Sequence, residues 1–360
     1  MRSGFGVILI LSYLVYGCSN PKKPVEIEQL SLKGSAKLDV PETLSEWKLF
    51  EEPLNQLNPV AGVIPYDLNS PLFTDYALKA RFIKVPEGMQ AVYNHSEVLE
   101  FAEGTILIKN FYYDLDQTNE EKDQKLIETR LLIHEKQGWN ALTYVWNDSQ
   151  TDATLEIAGK TVPVTWVNED GVLKNVKYSV PNLVQCKSCH ERSARMSPIG
   201  PSARQLNKSF DYEDGAANQL IKWHQLSILD SLPAHNSLPK LAQWDNPQSG
   251  TLDERARAWL EINCAHCHRA EGPAKNTGLH LLASEKDPYR YGVNKPPIAA
   301  GRGSGGLTYG IVPGKPDQSI IVHRIESLDP GVMMPELGRR MEHEEGVELI
   351  REWITKMSAL

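Results

Sequence analysis

Thr105-Ile-Leu-Ile-Lys-Asn-Phe-Tyr-Tyr113 is the stretch that decides the fold of the first half of the chain. Its residues are mostly β-branched or aromatic and alternate in character, which is typical of a strand with one buried face. Similar runs lie on both sides of it, and turn residues such as Glu103-Gly104 separate them. The sequence therefore predicts an antiparallel, sandwich- or barrel-like β-rich domain over residues 43–182. The other runs cover residues 79–85, 127–135, 142–146 and 161–167.

The second half of the chain has a different pattern. Residues 183–250 are rich in loop residues and prolines, which indicates a segment with little regular structure. Thr251 and Glu254 then fit a capping box at a helix start, and apolar residues follow at helical spacing. We therefore expect residues 251–360 to form an all-α domain.

The first residues of the chain resemble an export signal. Residues 1–17 combine a positive start with an apolar run that is too short to span a bilayer comfortably. The run ends in a Gly before Cys18, as in a bacterial lipobox, so we expect Cys18 to be acylated; an ordinary leader that leaves Cys18 free is the alternative. Residues 18–42 are expected to be a tether. Ser, not Asp, follows Cys18, which favours the periplasmic side of the outer membrane.

The charge of the chain limits its partners. Its 360 residues carry a formal net charge of -8, and nucleic acid requires a basic surface, so we expect no nucleic-acid partner. A basic protein surface is a more natural partner for an acidic protein.

Four of the five cysteines belong to two C-x-x-C-H motifs. Two cysteines three residues apart can both reach the vinyl groups of one porphyrin, and the adjacent His can then ligate its iron. A zinc site, a redox dithiol or two local disulfides would not explain a His after each pair. We therefore expect two haem c groups, with His190 and His268 as proximal ligands. The motifs are Cys186-Lys-Ser-Cys189-His190 and Cys264-Ala-His-Cys267-His268.

The sixth iron ligands are less uniform. Met334 precedes a proline, the usual arrangement for a methionine that ligates haem, so we favour it over Met333 for the second haem; both could instead be core methionines. For the first haem Met196, His224 and His235 are candidates, and an open position is the alternative.

A glycine-rich stretch, Gly301-Arg-Gly-Ser-Gly-Gly306, could suggest a phosphate-binding loop. No Gly-Lys-Ser/Thr ends it, and it lies within the predicted second haem region. We expect it to run along a haem edge, where Arg302 would pair with a propionate.

Seven blocks of the chain resemble an uncharacterised family of exported dihaem c-type cytochromes, and the likeness covers most of the chain. The resemblance implies two haems and a class I cytochrome c fold for residues 251–360. The expected fold is therefore α+β, with a β-rich domain followed by an all-α class I cytochrome c domain and a first haem-binding segment, residues 183–250, between them. The blocks are Tyr66-Asp-Leu-Asn-Ser-Pro-Leu-Phe73, Glu128-Thr-Arg-Leu-Leu132, Tyr144-Val-Trp-Asn-Asp148, Ile199-Gly-Pro201, Ile262-Asn-Cys-Ala-His-Cys-His268, Val312-Pro-Gly-Lys-Pro316 and Met333-Met-Pro-Glu-Leu337.

These features predict an electron carrier rather than an enzyme. We expect single electrons to pass between an exported redox enzyme and a downstream acceptor, with the chain anchored to the membrane by lipid. Two alternatives remain open. A dihaem peroxidase would use an open first haem, and a binding protein would use the β-rich domain to capture a ligand or partner, with the haems as accessories.

Overall fold

The computed structural model describes residues 1, 40–121, 123–298 and 300–358. The predicted signal peptide, the predicted lipidation site at Cys18 and most of the predicted tether lie outside these residues. Residues 41–360 cluster as one unit. Pro41, at the predicted end of the tether, already contacts the sheet, because its carbonyl accepts a 2.9 Å hydrogen bond from Tyr144 Oη.

Six strands form an antiparallel meander in which each strand pairs with its neighbours in sequence. The four runs predicted between residues 79 and 146 all fall in this sheet, which confirms that their alternation marks strands. The strands are β1 (Val63–Tyr66), β2 (Leu78–Lys84), β3 (Ile106–Asp114), β4 (Gln124–Glu135), β5 (Gly138–Trp146) and β6 (Ala153–Leu155).

Three two-stranded hairpins follow the meander. The first contains the predicted strand 161–167 and is the longest, and the other two lie between the two C-x-x-C-H motifs. The hairpins are β7 (Lys160–Val167) with β8 (Leu173–Val180), β9 (Glu191–Arg192) with β10 (Arg195–Met196), and β11 (Ser209–Tyr212) with β12 (Gly215–Asn218).

The helices in the described part of the chain are short. None of them is long and apolar enough to cross a membrane. The α-helices are α1 (Leu183–Cys189), α2 (Ala203–Leu206), α3 (Gln219–Gln225), α4 (Leu252–Leu260), α5 (Ile320–Glu326) and α6 (Glu344–Lys356). A π-helical segment covers Glu261–Ala265, and 3₁₀ turns cover Ser45–Trp47, Leu54–Gln56, His235–Ser237, Lys275–Thr277, Gly301–Ser304 and Pro316–Gln318.

The two faces of the six-stranded sheet differ in character, because successive residues of a strand point to opposite sides. On one face, residues such as Phe82, Ile108 and Tyr144 pack against Leu44 and Leu54 from the segment before β1. This face is a continuous apolar core, and its burial stabilises the sheet through the hydrophobic effect.

The opposite face is apolar at both ends and charged in the middle. At one end Ile83, Leu107 and Leu132 join an apolar cluster that includes Trp223 of α3. At the other end the β7–β8 hairpin packs Trp166 and other side chains against β3 to β5. The residues between these two clusters border a cavity, which is also bordered by Cys186, Cys189 and His190 of the first C-x-x-C-H motif and by Ala265 and His266 of the second.

The prediction that residues 251–360 form an all-α class I cytochrome c domain is wrong. The described residues between 251 and 356 form three α-helices, of 9, 7 and 13 residues, and the described part of the chain is mostly β, with no separate all-α domain. Glycines, prolines and turns fill most of the chain between α4 and α5, so the helical pattern does not continue there. The sandwich or barrel predicted for residues 43–182 is not observed either. These residues form the six-stranded meander and the β7–β8 hairpin instead.

The C-terminal helices complete the same fold as the sheet. Their apolar faces form one cluster that includes Trp259, Val293 and Ile350. Hydrogen bonds then join this region to the loop between β1 and β2: Asn263 Oδ1 accepts from the Phe73 amide at 2.9 Å. Asp75 of the same loop accepts from backbone amides before α6. The helical spacing after Thr251 predicted α4 correctly, but it carried no information about what this helix packs against.

Candidate functional site

The first C-x-x-C-H motif forms the last turn of α1. Asn182 caps the start of this helix, because its side chain accepts from the Gln185 amide at 2.9 Å and Gln185 bonds back to its backbone. The His190 amide donates to the Cys186 carbonyl at 3.0 Å, so the helical turn extends to the His. Residues spaced by three and four share one face of a helix, which places both cysteines and the His on one side. Both cysteines are free thiols.

The second motif has the same local shape on a longer helix. The π-helical segment continues α4 to Ala265, and such segments are frequent at functional sites. The amides of Cys267 and His268 donate to the Cys264 carbonyl at 3.1 and 2.9 Å. Its cysteines are also free thiols, so each motif presents two sulfurs and one imidazole from one turn.

His190 is held as a neutral imidazole with one free lone pair. Its Nδ1 lies 3.0 Å from the Ser197 carbonyl, which can only accept, so Nδ1 carries the proton and donates it. Burial lowers the pKa of His190 to about 4, so the ring is neutral at pH 7. The lone pair is therefore on Nε2, the usual arrangement for a metal-ligating His.

His268 reaches the same state by a different route. Its Nδ1 lies 3.1 Å from Thr277 Oγ1. That hydroxyl donates its own hydrogen to the Ala274 carbonyl at 2.7 Å, so it must accept from Nδ1–H of His268. Burial lowers the pKa of His268 to about 4. Both motifs thus end in a neutral His with Nε2 free.

Each motif borders a cavity. The first cavity, of about 390 Å³, lies against the charged part of the sheet and is bordered by Cys186, Cys189 and His190. The second cavity, of about 120 Å³, is bordered by Cys264 and His268. The two motifs also lie close together in space, since the Ser193 amide, three residues after His190, donates to the Glu271 carbonyl, three residues after His268, at 2.8 Å.

Met334 borders the second cavity together with His268, whereas Met333 borders neither cavity and is buried, with 4% of its surface exposed. The backbone of Met334 is fixed on both sides. Its amide donates to the Arg324 carbonyl at 2.9 Å, and Arg339 Nη2 donates to its carbonyl at 2.9 Å. Ligation by Met334 stays a prediction, and the position of its side chain is compatible with it.

Two of the three sequence-based candidates for the sixth ligand of the first haem, Met196 and His224, lie away from the first cavity. Met196 packs against the apolar cluster around α3, and His224 Nδ1 lies 3.1 Å from the Leu229 carbonyl. Neither residue borders the first cavity. The side chain of His235 lies outside the described part of the structure.

Arg302 also lies away from both cavities. It is in a 3₁₀ turn, its side chain is 69% exposed, and its Nη2 pairs with Asp329 at 2.9 Å. Its guanidinium is therefore directed to an acidic partner at the surface rather than to a cavity.

A row of three cations, which was not predicted from the sequence, borders the first cavity. Arg81, Lys109 and Arg130 are direct cross-strand partners on β2, β3 and β4. Like charges opposite each other destabilise a sheet, so this arrangement has a cost. The alternation of residues along the strands could have revealed this row. Each cation occupies the same side of its strand as a buried apolar residue two positions away, so each is expected to face inward.

Two members of this cation row are neutralised and the middle one is not. Arg81 pairs with Asp67 at 3.1 Å, and Arg130 Nε donates to Glu128 at 2.9 Å. Lys109 has no ion-pair partner among the described residues; its ammonium lies 4.7 Å from the centre of the Phe111 ring. Burial, with the charges of its cationic neighbours, holds the pKa of Lys109 well below its ordinary value.

Glu97 connects the two motifs. Arg192, two residues after His190, pairs with it at 3.1 Å, and Arg269, which follows His268, pairs with it at 2.8 Å. Burial would raise the pKa of Glu97, but the hydrogen bond and charge of Arg269 and the charge of Arg192 outweigh it and lower the pKa.

Within the described residues, no group of three or more His, Cys, Asp or Glu side chains is arranged to hold a metal ion. Comparisons of the chain with protein-family models, with curated proteins and with solved structures give no match. The resemblance to exported dihaem cytochromes therefore depends on the sequence blocks quoted above.

We predict that Glu97→Gln lowers the free energy of unfolding at pH 7 by about 1 kcal/mol. The carboxylate has a depressed pKa, so its contribution is complete above the ordinary pKa of about 4.3 and is lost as pH falls below it. Urea unfolding at pH 7 and at pH 3.5 measures the difference, which should shrink at the lower pH. The exposed Glu103→Gln is the control. Equal effects of both variants at pH 7 would contradict the connecting role of Glu97.

Proposed function

We propose that the chain is a dihaem c-type cytochrome that transfers single electrons between redox partner proteins. The observation that carries this proposal is the identical state of the two motifs. Each has two free cysteines on one helical turn and a neutral His whose Nδ1–H is already donated. A c-type haem requires two thioether sulfurs and one imidazole with a free Nε2. The residues present therefore fit the group.

The first cavity supports the proposal by its charge. Lys109 is a partly buried cation with no ion-pair partner among the described residues, and removing a charge from water is costly unless it is paired. A haem carries two propionates, and a haem bound to Cys186 and Cys189 would bring them into the cavity that the cation row borders. Lys109, with Arg81 and Arg130 beside it, would then hold the anionic edge of the first haem.

The sheet therefore has a proposed role in the haem site itself. Its charged middle part forms one wall of the first cavity, while the motif-bearing turn of α1 forms another. This arrangement favours a haem pocket shared between sheet and helix over a β domain that binds a separate ligand. The haem iron supplies the one-electron chemistry, and the protein residues hold it, exclude water and set its potential.

Met334 is the proposed sixth ligand of the second haem. A thioether opposite an imidazole stabilises ferrous iron and raises the potential. Its loop is held by Arg324 and Arg339 through bonds to backbone carbonyls, so the thioether would be presented by a fixed backbone rather than a mobile one.

The proposed location is the periplasmic side of the outer membrane, with acylation of Cys18 as the anchor. The partners would be redox proteins with basic docking surfaces, because the chain has a net charge of -8 and haem propionates add negative charge.

We predict that the wild-type chain, produced with a c-type haem maturation system, carries two covalent haems. Intact-mass spectrometry under denaturing conditions measures them, because thioether-bound haem survives unfolding. Replacing Cys186 and Cys189 with Ala removes one haem, and so does replacing Cys264 and Cys267. Cys18→Ser is the matched control, because this cysteine lies outside both motifs, and it retains both haems. A wild-type mass without haem would refute the proposed function.

We also predict that Met334→Ala abolishes the weak near-infrared sulfur-to-iron absorption of the oxidised protein. It should lower the potential of the second haem by on the order of 0.1 V, since the axial ligand itself is lost. Met333→Ala is the control; it should leave both quantities nearly unchanged and cost only packing. Loss of the band in the control instead would move the ligand by one residue. Its persistence in both variants would exclude methionine at this position.

A further inference from the structure

His266 occupies an unexpected position between the two motifs. It belongs to the second motif, as the residue before Cys267, yet it borders the first cavity and not the second. The first cavity is the one that Cys186, Cys189 and His190 face. A turn that would bind one haem thus directs an imidazole towards the site of the other.

The Nδ1 atom of His266 is a buried polar atom without a well-formed hydrogen bond. Among the described residues it has no partner of normal hydrogen-bond geometry, and the backbone of Ile262, one turn earlier in the chain, contacts the ring only weakly. Buried polar atoms in native proteins are nearly always paired, so an exception next to a cavity points to a group that is bound there. By contrast, Nδ1 of His190 and of His268 each has a partner within 3.1 Å.

The other donors that face the first cavity are less suited to ligate a metal there. His343 borders it, but Trp259 Nε1 donates to His343 Nδ1 at 3.0 Å, which occupies the lone pair of that ring and leaves the hydrogen on Nε2. Met334 borders both cavities, and the second one contains His268, for which it is the proposed partner. Among the nitrogen and sulfur donors described at this cavity, His266 is the one left without a role.

We propose that His266 is the sixth iron ligand of the first haem, so that the second motif supplies an axial ligand to the haem attached to the first. This inference rests on the proposed dihaem function. It makes the first haem a His/His centre, closed to small ligands, beside a His/Met centre of higher potential. It also gives the two haems a short covalent connection, because His266 is bonded directly to Cys267, a thioether residue of the second haem.

The proposal gives a physical reason for the contact between the motifs. The Glu97 ion pairs and the bond from the Ser193 amide to the Glu271 carbonyl, at 2.8 Å, hold the residues after the two histidines together. If the second motif supplies a ligand to the haem of the first, the two motifs must be held at a fixed distance from each other. A shift of about 1 Å would be enough to break the bond between His266 and the iron.

The test compares wild-type protein with His266→Ala, using Ser188→Ala as the matched control. Ser188 is the residue before the second cysteine of the first motif, and it is exposed, with its hydroxyl bonded to the Val184 carbonyl at 2.9 Å. Both substitutions leave the C-x-x-C-H pattern intact, so mass spectrometry should find two haems in all three proteins. Carbon monoxide binding to the reduced protein and electron paramagnetic resonance of the oxidised protein then report axial ligation.

We expect the wild type and Ser188→Ala to bind essentially no carbon monoxide and to give only low-spin ferric signals. His266→Ala should bind about one carbon monoxide per chain and give a high-spin ferric signal. Adding imidazole to this variant should restore the low-spin signal, which loss of packing alone would not explain.

Three results would overturn the proposal, and they differ from failure of the proposed function. The first is two haems in His266→Ala with no carbon monoxide bound and unchanged low-spin signals. The second is one carbon monoxide bound per wild-type chain, the behaviour of an open, peroxidase-like first haem. The third is a near-infrared magnetic circular dichroism spectrum of the wild type that lacks the band of a haem with two His ligands. This result applies even if His266→Ala does not fold. Absence of covalent haem from the wild type would instead refute the function.

Discussion

The placement of three cations side by side on one face of a β-sheet is the constraint on which the proposed site depends. Arg81, Lys109 and Arg130 lie side by side on neighbouring strands, between two apolar clusters. Such a row is unfavourable without anions beside it, because removal from water and mutual repulsion both oppose the charged forms of the three side chains. Asp67 and Glu128 neutralise the outer members, and Lys109 has no ion-pair partner in the part of the chain that the structure describes. An anionic cofactor edge in the first cavity would complete the charge balance, so the sheet and the cofactor would stabilise each other.

The two C-x-x-C-H motifs are also connected to each other and do not form independent sites. Glu97 joins the residues that follow His190 and His268, and His266 crosses from the second motif to the first cavity. A dihaem protein with separate domains would tune each iron independently. In the proposed dihaem protein, a change at one motif would reach the other through a few bonds, which would favour rapid electron exchange between the two haems over independent action.

The sequence predicted local structure well and tertiary relations poorly. The strands follow from alternation, and the capping box of Thr251 and Glu254 is present as expected. The all-α domain was wrong because helical periodicity identifies an apolar face without identifying its partner, and the partner of α4 includes the loop before β2. His266 escaped notice because the positions between the cysteines accept any residue. The role of Lys109 was not predicted, because a single inward-facing cation in one strand is informative only when the strand pairing shows that cations of neighbouring strands lie beside it.

A potentiometric titration of the wild-type protein, followed by haem absorbance, tests the central claim most directly. Two covalent haems of unlike ligation, His/His and His/Met, should be reduced in two one-electron steps at clearly different potentials, because the thioether raises one of them. Two haems reduced in a single shared step would contradict the unlike ligation, and a protein without any titratable haem absorbance would contradict the account as a whole.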